Sequence, residues 1–157
     1  MKTSPPPVEI PTARITVEVT SFVPVTQTSS PYSKATLTLQ ALPPPGIAQP
    51  IAGGPLQVTR PVWLEFAMLS PNPVGNFLPI GAACDRNSKE GNPKWLKMFP
   101  ESACVEAGDG TRVLRVLDKC EKIKGGPKQF HYEFDLVIQR LKDHAFGVID
   151  PEVMNED

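Results

Sequence analysis

Apolar and polar side chains alternate through the start of residues 14–23, with Ile15, Val17 and Val19 on one side and Thr16, Glu18 and Thr20 on the other. A period of two is the pattern of a strand with one buried face, so the spacing predicts a strand there. Residues 34–42 repeat it, with Ala35, Leu37, Leu39 and Ala41 inward and Thr36, Thr38 and Gln40 outward, and the run stops at Pro43. Residues 62–69 are apolar on both sides apart from Glu65. That suits a strand in the middle of a sandwich and makes Trp63 its largest core candidate. The longest candidate is residues 130–140, where Phe130, Tyr132, Phe134, Leu136 and Ile138 oppose His131, Glu133, Asp135, Val137 and Gln139.

Shorter signals fill the gaps. Residues 56–59 fit a short edge strand inside a Pro- and Gly-rich connection, and residues 77–83 contain Pro79, which places them at a sheet edge or at a bulge. Residues 95–99 fit either a short strand or one helical turn. Residues 105–107 and 112–118 flank Gly108-Asp109-Gly110, a hairpin signal because Asp-Gly tolerates the positive φ such turns need. Residues 145–153 form the last candidate. Short strands, frequent turns and no helical period predict an all-β fold: an antiparallel β-sandwich of about seven to nine strands. The expected core is Ile15, Val17, Leu37, Leu39, Trp63, Phe66, Val116, Tyr132, Phe134, Leu136 and Val148.

Composition agrees with this picture and narrows it. Proline is 19 of 157 residues, 15 of them before residue 80, where average usage of about 5% would give about eight. Long helices are thereby disfavoured. Prolines 5, 6, 7 and 11 make residues 1–12 an extended arm of polyproline type, and residues 13–157 read as one sandwich domain. Sixteen basic against 17 acidic side chains leave a net charge of −1, which supplies no field for a phosphate backbone. No apolar run reaches the length of a membrane span, and the first residues lack the apolar core of a secretion signal, so a soluble cytoplasmic protein is expected.

Two resemblances follow from these strands. A strand-borne Trp63 followed much later by Tyr132-Glu133-Phe134 resembles the immunoglobulin-like arrangement, in which a central tryptophan packs beneath a late strand. Phe134 stands where that family has a cysteine, and no cysteine precedes Trp63, so the likeness is to the sandwich and not to its disulfide. Gly125-Gly126-Pro127, then Phe130-x-Tyr132-x-Phe134, then Ile149-Asp150-Pro151-Glu152-Val153-x-Asn155 is similar to the ending of small bacterial β-sandwich proteins, the DP-EP proteins, described as immunoglobulin-like or cupredoxin-like. This resemblance implies a fold and no activity.

Candidate chemistry is sparse. Cys84, Cys104 and Cys120 lack the paired spacing of a zinc or redox motif, and with His131 and His144 they do not reproduce the Cys-His-Met loop of a copper site. No nucleophile elbow or Cys/His pair is present, so no catalytic set is assigned and an enzyme is not expected. Glu133 and Asp135 share a strand face, the pattern of a solvated surface. Residues 85–91 resemble an oxygen-rich calcium loop, but Lys89 and Glu90 fall where a ligand and the invariant glycine belong. A basic stretch, Arg112, Arg115, Lys119, Lys122, Lys124 and Lys128, faces only Asp118 and Glu121. Within it Arg112, Arg115, Lys122, Lys124 and Lys128 are the candidate anion-binding set. The expected role is binding or assembly without catalysis or a cofactor, with self-association through sheet edges or the arm. A Cys/His metal or small-ligand domain, and anion capture by the basic loop, stay open as alternatives; nucleic acid and membrane are not expected partners.

Overall fold

The alternation at the start of the chain is a strand in the computed structural model, which describes residues 9–26, 32–40, 48–50, 56–84, 99–120, 129–149 and 152–156. In chain order the strands are β1 (Thr12–Ser21), β2 (Lys34–Leu39), β3 (Ala48–Pro50), β4 (Leu56–Val58), β5 (Val62–Met68), β6 (Phe77–Cys84), β7 (Ser102–Glu106), β8 (Arg112–Asp118), β9 (Gln129–Arg140), β10 (Phe146–Ile149) and β11 (Glu152–Glu156). Among the described residues the fold is all-β. Nine strands have four or more residues, within the expected number, and β3 and β4 add two three-residue segments. The arm reaches no further than Pro11, because Thr12 already belongs to β1 and the Trp63 amide donates to the Pro11 carbonyl at 2.8 Å. Residues 1–8 and 91–98, which hold the rest of the arm and most of the ambiguous 95–99 segment, lie outside the described residues.

The strands form two open sheets, as expected of a sandwich. The first runs β2, β1, β5, β8, β7; in the second, β9 is flanked by β6 on one side and by β10 and β11 on the other, followed by β4 and β3. Most pairings are antiparallel, but β1 with β5 and β4 with β11 are parallel. The sandwich is therefore mixed, since long connections carry the chain away before it returns in the same direction. β10 and β11 share one register along β9, with Ile149 opposite Leu136 and Glu152 opposite Glu133. The single candidate at residues 145–153 is thus two segments serving one edge.

The core lies between the sheets. Ile15, Val17, Val19, Leu64, Phe66, Leu114 and Val116 face it from the first sheet, and Val58, Phe77, Leu136, Ile138 and Ile149 from the second, all nearly inaccessible. Complete burial contributes about 1.5–3 kcal/mol for each such aliphatic or aromatic side chain. Three expected core residues are placed otherwise. Leu37 is 36% exposed, because β2 is the edge strand of the first sheet. Val148 alternates with the buried Ile149 and points the other way, half-buried. Trp63 alternates with Val62 and Leu64 and lies half-buried on the outer face of the first sheet, so it cannot pack between the sheets as the immunoglobulin-like comparison implied. The side chains of Tyr132 and Phe134 lie outside the described residues.

One connection ties the sheets together. After β1 the chain crosses to β10, where Val25 N donates to Phe146 O and Ser33 N to Val148 O, covering that strand's free edge. Phe22 packs on Phe77 with ring centroids 5.2 Å apart. A Cβ on Gly147 would sit 2.5 Å from the Phe22 ring, so only glycine permits this approach. Ser33 Oγ, buried, accepts from Val23 N at 2.8 Å.

Candidate binding groove

Register builds a charged row across the outer face of the first sheet. Glu65 on β5 is the register partner of Arg14 on β1 and of Arg115 on β8. Glu65 lies between the two guanidiniums, 3.5 Å from Arg14 and 3.3 Å from Arg115. Arg14 also donates to Asp109 at 2.6 Å. Asp109 sits in the β7–β8 turn, so this contact spans two strand spacings, and the turn folds back over the outer face. In register beneath it, Val113 and Ala67 are 0% and 7% exposed although they face away from the core. Thr111 N donates to Asp109 Oδ1, and this bond first, then Arg14, holds the Asp109 carboxyl down to about 2.

Arg115 stands beside an open groove of about 450 Å³. Its guanidinium lies 4.5 Å above the Trp63 ring. The facing wall is residues 100–103 with Val105, so Glu101, Ser102 and the methyl of Ala103 border the space directly. Glu65 Oε2 approaches Arg115 Nε at ion-pair distance, 3.3 Å, without completing a hydrogen bond. Among the described residues the two terminal nitrogens of Arg115 have no carboxylate partner.

The groove adjoins an edge strand. Leu117 N donates to Glu101 O and Ala107 N to Thr111 O, so residues 101, 103, 105 and 107 direct their backbone groups into β8. Alternation then turns the N–H and C=O groups of Ser102, Cys104 and Glu106 outward, away from the sheet. Cys104 directs its thiol between the sheets to the Pro79 carbonyl, where β6 bulges between Pro79 and Gly81. Partial desolvation of the thiol there raises the Cys104 pKa, although the residue as a whole is exposed.

The other sequence candidates separate. Arg112 and Arg115 are three apart on one strand and so face opposite ways. Arg112 is exposed opposite Glu106, whereas Arg115 belongs to the outer row. They do not form one anion site. Lys122, Lys124 and Lys128 lie outside the described residues, as does the 85–91 loop. Asp118, one of the acids set against this stretch, is buried and accepts from Cys120 N at 2.9 Å. Cys120 Sγ is 3.5 Å from Val58 O, and His144 is exposed in the turn after β9 with a φ of 61°. Cys84 and His131 are placed by backbone alone, opposite Phe134 and Met154. Among the described residues no three His, Cys, Asp or Glu side chains converge as a metal site would require. Asp135 is half-buried, and Glu133 is placed only by its backbone opposite Glu152. No helix among the described residues is long and apolar enough to cross a membrane.

Sequence reasoning missed the groove because its walls come from strands 40 residues apart, Trp63 on β5 and Ala103 on β7. The signal present was Arg115 itself, a cation in an otherwise apolar run. No protein-family model matches the chain, and no curated protein matches it.

Proposed function

We propose that the protein is a non-catalytic binding module that captures an extended peptide segment as an added strand on β7. The observation that carries this reading is the meeting of two features: outward backbone groups on Ser102, Cys104 and Glu106, and the groove beside Trp63 and Arg115. In strand addition the main-chain bonds supply affinity and pockets for alternate side chains supply selectivity. An edge left open is otherwise a liability that proteins shorten or block. β7 is short, and Pro100 closes its N-terminal approach, which confines any added strand to these few residues.

Amide hydrogen exchange tests the reading. With a capped peptide of alternating threonine and valine, the amides of Ser102, Cys104 and Glu106 should slow at least about tenfold, the change expected for closing an exposed backbone bond. Ser102→Pro removes an outward donor without touching the β8 ladder and should abolish that protection. Unchanged exchange at saturating peptide would overturn the proposal.

A further inference from the structure

Resting on the strand-addition reading, we infer that the captured segment has a defined charge order: apolar, then acidic, then basic at alternate positions from its N-terminus. The register dictates this. On an antiparallel strand added to β7, one side chain faces Val105, the next on that face Ala103, and the next Glu101. All three β7 residues border the same groove.

Ala103 lies between Arg115 and the edge, because it is the β7 partner of Arg115. Its methyl leaves the floor low, so a carboxylate from the added strand can lie across it and meet the guanidinium, which completes no hydrogen bond with Glu65. Arginine favours such planar two-point contact with a carboxylate, and Trp63 beneath holds the guanidinium in place. Two positions along, exposed Glu101 faces the added strand directly and selects a cation. Val105, half-buried, sets the apolar position.

A second copy of β7 does not meet this demand. The outward groups force even residues to pair with even ones, and β7 carries no basic side chain to oppose Glu101. The one symmetric register that sets a second Glu101 against Ala103 also sets Pro100, which has no N–H, against Cys104. The occupant is therefore an extended segment of a different polypeptide.

Fluorescence anisotropy with labelled, capped peptides tests the inference on the full chain. In the first peptide, threonines alternate with valine, glutamate and lysine in that order; in the second, glutamate and lysine are exchanged; in the third, glutamine replaces glutamate. The first should bind about tenfold or more tightly than the second, with the third between them. Arg115→Gln should equalise the first and third, and Glu101→Lys should turn the lysine position against binding, each variant keeping the wild-type circular dichroism. Equal binding of the first and second peptides, lost in both on Ser102→Pro, would overturn the charge order and leave strand addition standing. Binding that survives Ser102→Pro, or no binding by any peptide at millimolar concentration, would overturn both.

Discussion

Arg115 and Arg140 hold the same pose in opposite circumstances. Each guanidinium carbon lies 4.5 Å over an aromatic ring, Trp63 for Arg115 and Phe22 for Arg140. Arg140 is closed off: Asp143 takes both its Nε and one terminal nitrogen, at 2.9 and 2.6 Å, and its ring is wedged between Phe77 and Gly147. Arg115 shares one carboxylate with Arg14 and leaves its terminal nitrogens facing a groove. A cation over a ring does not by itself mark a site. What separates structural from available is whether the carboxylate fork is complete, since a bidentate pair uses the donors that would otherwise meet a ligand.

If the Phe22 side is structural, its ring should matter most. Phe22→Ala should cost about 2–3 kcal/mol in urea unfolding, somewhat below a fully buried phenylalanine because Phe22 is half-buried. Trp63→Ala should cost about 1 kcal/mol, and equal losses would erase the distinction. Gly147→Ala should follow at about 1–2 kcal/mol, the cost of forcing a methyl against Phe22. Arg115→Gln should change stability by about 1 kcal/mol or less, since the part-buried Glu65 keeps Arg14 as its partner; Arg140→Gln should lower the melting temperature more.

The smallest effect is in titration. Asp143 and Asp109 are both held near 2, below the ordinary carboxyl value of about 3.9. A depressed folded-state value means their contribution to stability is present above that ordinary value and is lost as pH falls toward 2. The chief cause differs: Arg140 for Asp143, the Thr111 amide for Asp109. Carbon-detected NMR should therefore show Arg140→Gln returning Asp143 toward its ordinary value, while Arg14→Gln moves Asp109 less.

Much of the sandwich was legible because period-two alternation is a local property, and β1 and the buried Leu136 and Ile138 of β9 follow it residue for residue. Trp63 was not, because a run that is apolar on both sides gives no sign of which side faces inward. Leu37 follows the same alternation as Val17, its partner, and only the position of β2 at the edge exposes it. The parallel pairing of β1 with β5 depends on chain reversals that no local pattern encodes. Of the candidate anion set, the split between Arg112 and Arg115 was legible in their spacing, whereas the groove depended on strand order.

The crossing that ties the sheets also sets a timetable for synthesis. Val25 and Ser33 find their backbone partners at Phe146 and Val148, and Gly147 closes the packing around Phe22. A nascent chain can pair β1 with β2 early, but the Val25 and Ser33 amides wait for these partners until more than a hundred further residues have been made. Contacts of such span make folding slow, and a ribosome-stalled chain ending before β10 would carry a Phe22 ring bare on its Gly147 side and an unpaired β9 edge, the features chaperones grip.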